Sequence, residues 1–163
     1  MNYFELFGLP VSPVVNRAEL AKKYFELQKQ YHPDYFTKSG EHEQEQALEL
    51  SAAINKAFTI FQNEEKTLEY FLQLSGTLVA DEKYNLPPDF LMEMMDLNEM
   101  LPELPELEIR NRVQSYGNLL AEEIKPYLQE LQPGSNTSQT TEKLKEYYYK
   151  KKYLKRILDR LPD

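Results

Sequence analysis

The stretch Leu27-Gln28-Lys29-Gln30-Tyr31-His32-Pro33-Asp34-Tyr35 decides how this chain is read. Upstream, Leu20, Tyr24, Leu27 and Tyr31 recur at intervals of four, three and four, the signature of one buried helical stripe, and Asn16 stands before them as an N-cap. The helix must stop near Tyr31. A residue before proline is pushed out of the α region by the proline ring, so His32-Pro33-Asp34 is expected at a loop apex. Downstream, a second helix starting near Gly40 carries Ala47, Leu50, Ile54, Phe58 and Phe61 on one stripe. The two helices are predicted to pair as an antiparallel hairpin. A shorter helix from about Asn63 to Ser75 turns Leu68, Phe71 and Leu72 inward, and Gly76 suits the left-handed position after its end.

Outward from the hairpin, Ser75-Gly76 through Pro87-Pro88 forms a seam, a glycine stop followed by a short stretch closed by two prolines. Beyond it, Phe90, Met94, Leu97, Leu101 and Leu104 share one helical face. Ile109, Val113, Tyr116, Leu120, Ile124, Tyr127 and Leu131 share another, and the last helix carries Leu144, Tyr147 or Tyr148, Leu154, Leu158 and Leu161. Pro102, Pro105 and Pro126 are expected to end or kink helices where they fall. The residues from Gln132 to Gln139 read as a loop by composition. The expectation is an all-α chain with domains at 1–75 and 88–163, the second a three-helix bundle, and a connector at 76–87.

Composition narrows the chemistry. The 163 residues contain no cysteine and only two histidines. Disulfides, thiolate metal sites and cysteine nucleophiles are therefore absent, and a dedicated metal cage or resident cofactor is not expected. A net charge of −8 opposes nucleic-acid binding, which needs a basic face. Tyr147-Tyr148-Tyr149-Lys150-Lys151-Lys152 places aromatics beside lysines. Helical spacing nevertheless sends the tyrosines to different sides, and the lysines can offset the three basic against ten acidic residues of 88–130. No run reaches eighteen apolar residues and no leader pattern opens the chain, so a cytoplasmic protein with no membrane contact is expected.

The His-Pro-Asp triplet gains meaning from its surroundings. Tyr3-Phe4-Glu5-Leu6-Phe7-Gly8-Leu9, the helix of Leu20 to Tyr31, the triplet, and Ile54-Asn55-Lys56-Ala57-Phe58 together resemble the J-domain of DnaJ-like co-chaperones over about 75 residues. With Leu27-Gln28-Lys29-Gln30-Tyr31 before the triplet and Phe90-Leu91-Met92-Glu93 later, the chain resembles the HscB (Jac) co-chaperones of iron–sulfur cluster assembly over nearly its whole length. No glycine-phenylalanine linker or cysteine-rich module follows, which separates it from ordinary DnaJ. The resemblance implies a J-domain that stimulates ATP hydrolysis by a DnaK- or HscA-type chaperone, and a C-terminal bundle that carries an IscU-type scaffold protein to it. The chain itself is expected to be a monomer and not an enzyme.

Physical reasoning supports the same residues. A proline-stiffened apex presents a carboxylate with little freedom to lose, and Asp34 can accept a bidentate arginine from a partner. Arg17, Lys22, Lys23 and Lys29 lie on the preceding helix, Lys22 and Lys29 sharing a side, with Glu19 and Glu26 diluting the patch; the resemblance implies that they form the positive face that J-domains present to an acidic chaperone surface. J-domains usually have a basic residue after the aspartate; here it is Tyr35. On the Phe90 helix, Leu91, Met92 and Met95 with Asp96, Glu99 and Glu103 lie on a second arc of about 140°, away from the core stripe. That arc reads as a partner surface of adaptable methionines bordered by carboxylates, and the resemblance to HscB implies that it holds the scaffold. The resemblance further implies that one of Tyr148 and Tyr149 occupies the place of an aromatic that contributes to the family's scaffold site.

Three other readings are weighed. The bundle could serve a different client, as in a general protein-folding co-chaperone. His32 and Asp34 could form a catalytic pair, but no nucleophile, phosphate cradle or metal accompanies them. A plain helical scaffold requires that neutralising Asp34 change nothing.

Overall fold

A computed structural model describes residues 1–131 and 138–161, and among these there are helices and no strands. The elements are α1 (Tyr3–Phe7), α2 (Arg17–Tyr31), a 3-10 turn at Pro33–Phe36, α3 (Glu41–Phe61), α4 (Glu64–Leu74), α5 (Pro88–Met100), a 3-10 turn at Leu101–Glu103, α6 (Glu106–Glu130) and α7 (Ser138–Asp159). The chain divides into two compact units, Met1–Leu74 and Ser75–Asp163. Of the residues read as a loop, 132–137 lie outside the described set, and Ser138 and Gln139 instead open α7.

In the first unit, α2 and α3 pack as the expected hairpin. Asn16 caps α2, its Oδ1 accepting from the Glu19 amide at 2.9 Å. Of the predicted α2 stripe only Leu20 is fully buried, while Tyr24, Leu27 and Tyr31 are half-buried. Polar and aromatic contacts make up the remainder of the seam. Tyr24 stacks on Phe58 at 3.9 Å, and the Tyr24 hydroxyl and Gln28 amide both donate to Asn55 Oδ1, at 2.8 and 3.1 Å.

The five residues of α1 hold together through their ends. Asn2 and Glu5 form a reciprocal capping box. At the other end Gly8 adopts φ 64°, its amide donating to Glu5 O and that of Leu9 to Phe4 O, a Schellman closure with Leu9 buried. This fixes Phe4 and Phe7 against Phe61, with ring centroids 4.9 and 5.7 Å apart, and puts both among the most buried side chains.

The second unit is built around Phe90, Met94 and Leu97 of α5, Ile109, Val113 and Leu120 of α6, and Leu154 and Ile157 of α7. Ile157 is buried where the predicted stripe of α7 has Leu158 and Leu161, both only partly covered. Pro126 does not end its helix: α6 runs through it to Glu130. One missing amide within a turn of the helix end is offset by the packing of Leu120 and Ile124.

Residues 76–87, expected as a connector, lie within this unit and pack on α7. Lys145, 9% exposed, donates from Nζ to Thr77 O at 2.9 Å and to Glu82 Oε2 at 2.8 Å. Tyr149 donates to Glu82 Oε1 at 2.9 Å and stacks on Tyr84 with rings 8° from parallel. The Lys145 ammonium and the Tyr149 hydroxyl hold the Glu82 carboxyl below its ordinary value against the opposing effect of burial. Burial and the charges of Glu146, Glu142 and Glu82 push Tyr84 up.

Candidate functional site

Two surfaces, one on each unit, carry most of the side chains singled out in the sequence. The first is the bend between α2 and α3. His32 takes φ −61°, ψ 133°, the extended conformation expected before proline, so α2 ends at Tyr31. Pro33 then occupies the first position of the 3-10 turn, where its missing amide costs nothing. The bend is therefore a short helical turn rather than an open apex. His32 Nδ1 accepts from the Asp34 amide at 3.2 Å, and the Tyr35 amide donates to His32 O at 3.0 Å. The descending leg is held by Gln44, whose side-chain amide donates to Ser39 O at 2.9 Å and Thr37 O at 3.2 Å.

Asp34 ends up on the outside of this turn, its side chain 84% exposed, with the His32 imidazole 3.5 Å from Oδ2. In the neutral tautomer that accepts the Asp34 amide, Nδ1 carries no proton for the carboxylate. The carboxylate oxygens therefore face solvent and can receive a guanidinium. On α2, Arg17, Lys22 and Lys29 are exposed and Lys23 half-buried. Lys22 and Lys29 lie two turns apart on one side, while Arg17 points elsewhere around the helix. Sequence reasoning passed over Phe25, which stands between them 62% exposed with the Lys29 ammonium 5.0 Å from its ring centroid. Its place off the Leu20-to-Tyr31 stripe was the available signal.

The second surface is the outer side of α5. Leu91, Met92 and Met95 are 40%, 66% and 62% exposed, and Asp96 and Glu99 flank them in solvent. Met94, one position from Met95, is fully buried. Glu103 does not continue this arc: α5 ends at Met100, and Pro102 sits in the 3-10 turn that carries Glu103. Tyr148, expected on this surface, is instead buried at 4% exposure in the core of the second unit. Tyr149 is engaged by Glu82 and Tyr84. The register of α7 turns Tyr148 inward and leaves Tyr149 half-buried against Glu82 and Tyr84. The neighbouring lysines are likewise drawn into the unit, Lys150 over the Phe90 ring and Lys152 over Tyr148.

Among the described residues no cluster of three or more histidine, aspartate or glutamate side chains is placed to hold a metal ion. None of the described helices is long and apolar enough to cross a membrane.

A hairpin of two helices with an exposed His-Pro-Asp bend, attached to a separate helical module, defines a J-domain protein. Residues 2–70 match the DnaJ domain family, and residues 86–161 match the family described as the HSCB C-terminal oligomerisation domain. The chain belongs to the HscB family of co-chaperones. A co-chaperone protein HscB homolog of Vibrio vulnificus is 39% identical over 106 residues, 64% of this chain and 62% of that protein. The HscB of Proteus mirabilis is 37% identical over 105 residues, 64% and 61% of the two chains. These alignments thus span under two thirds of the curated relatives. The solved HscB of Vibrio cholerae is 30% identical, covering 99% of this chain and 100% of that one, with a TM-score of 0.57. Human HscB, 24% identical over 98% of this chain and 80% of that one, shares the fold with a TM-score of 0.80.

Proposed function

We propose that this protein stimulates the ATPase of a DnaK- or HscA-type chaperone through His32, Pro33 and Asp34, and presents an IscU-type iron–sulfur scaffold protein to that chaperone through the outer side of α5. It does so in the cytoplasm and performs no covalent chemistry of its own. The observation that carries the first half is the Asp34 carboxylate, exposed on a turn stiffened by Pro33 and closed by the His32 imidazole. Such a group loses little entropy when a partner arginine binds it. Its role is electrostatic: it offers charge and a fixed geometry to the partner's nucleotide machinery, and the bond broken is the partner's ATP.

The second half rests on apolar side chains without an interior role. Leu91, Met92 and Met95 add contact area with adaptable shape, while Asp96 and Glu99 at the border favour a basic or mixed partner surface. Lys22 and Lys29 would steer the J-domain toward an acidic chaperone face, an effect weakened by salt.

Steady-state ATP hydrolysis by a purified DnaK-type chaperone, with this protein and with or without the scaffold, tests the reading. Stimulation should vanish with Asp34→Asn. A synergistic rise with folded scaffold should vanish when Leu91, Met92 and Met95 are changed to serine. Capture of unfolded chains alone, with no scaffold effect, would replace the second half by a general folding role.

A further inference from the structure

Phe25 has no structural reason to be where it is. It projects from the middle of α2, 62% exposed, although the core stripe of that helix lies on the other side through Leu20, Tyr24 and Leu27. Ala18 and Ala21, also exposed, are its neighbours on the preceding turns, so nothing bulky shields the ring. Lys22 lies three residues before it and Lys29 four after, and the Lys29 ammonium sits 5.0 Å from the ring centroid. That contact holds both side chains ready and reduces the rotamer freedom each would lose on binding.

We infer that Phe25 is the apolar anchor of the chaperone contact, seated in a hydrophobic socket bordered by carboxylates on the ATPase partner. The inference rests on the function proposed above and names the residue that sets its affinity. Three features choose this occupant. Lysines on both sides of the ring call for an acidic rim. An aromatic ring surrounded by charge has the composition of an interface hot spot. Finally, Phe25 is seven residues from His32 along a continuous helix, about 10 Å at 1.5 Å per residue, so one partner surface can cover the ring and the bend together.

The test separates affinity from triggering. With the full-length protein and a purified DnaK-type chaperone, Phe25→Ala should raise the co-chaperone concentration needed for half-maximal ATPase stimulation about tenfold, a deficit overcome at saturation. Phe25→Leu should recover most of the loss. Raising the salt should shrink the effect of Lys22→Ala and leave that of Phe25→Ala in place, because burial of a ring is not screened. Circular dichroism and thermal midpoint verify that each variant is folded. If Asp34→Asn abolishes stimulation while Phe25→Ala leaves the half-maximal concentration where it was, the anchor is wrong and the functional reading stands. If Asp34→Asn has no effect, the reading itself fails. If Phe25→Ala alters only self-association in sedimentation, the ring belongs to a contact between copies and the inference is overturned.

Discussion

The Nδ1 atom of His32 accepts the backbone amide of Asp34 at 3.2 Å, so the imidazole closes the turn that carries the carboxylate. The two side chains therefore have separable duties, His32 holding shape and Asp34 offering charge.

Asp34→Asn keeps that backbone bond and should shift stability by less than about 0.5 kcal/mol, as expected for an exposed side chain. His32→Ala removes the cap and should cost about 1 kcal/mol. Urea denaturation measures both. Faster amide exchange at Asp34 and Tyr35 in His32→Ala, and not in Asp34→Asn, would show the division of labour; equal exchange would refute it.

Two adjacent methionines of α5 should behave oppositely. Met94→Ala hollows the core of the second unit and should cost about 2–5 kcal/mol. Met95→Ser, on the exposed side, should stay within about 0.5 kcal/mol and be felt in scaffold binding instead. Chemical denaturation beside a scaffold pull-down distinguishes them.

The contact of Glu82 with Lys145 and Tyr149 makes the second unit sensitive to acid. The carboxyl of Glu82 is held below its ordinary value of 4.5, so its contribution is present above that pH and is lost as pH falls through the lowered folded-state value. Glu82→Gln should flatten the acid limb of a plot of urea midpoint against pH. At the alkaline end the opposite shift applies: with Tyr84 raised above 10.0, the stability it contributes is present below that pH and fades as the hydroxyl titrates.

Gly8 closes α1 at φ 64°, with the Lys23 ammonium as the nearest heavy atom to an added Cβ at 3.7 Å. The penalty of Gly8→Ala is therefore backbone strain rather than collision, about 1–2 kcal/mol, and Gly8→Asn should cost less. Thermal unfolding of the two variants checks the order.

The fold was legible wherever its cause was local. Apolar residues at three and four marked α2 to α6, Pro33 marked the end of α2, and Asn16 and Gly76 marked a start and a stop as they stand. The five residues of α1 carry no periodicity of their own, because their stability comes from two caps and from Phe61, far along the chain. The exposure of Leu91, Met92 and Met95 followed from helical spacing alone, since a helix buried on one side leaves its other side in water.

What remained undecided by sequence was the pairing of side chains more than about sixty residues apart. Lys145 meets Glu82 from 63 residues away, and Tyr149 meets Glu82 and Tyr84 across a similar gap. The register that buries Tyr148, and the packing that absorbs residues 76–87 into the second unit, have no local signature. Sequence set the helices, the bend and the acid on it, because proline sterics and periodicity act within a few residues. Only tertiary packing settled which of three consecutive tyrosines is interior, because burial depends on what the rest of the chain brings alongside.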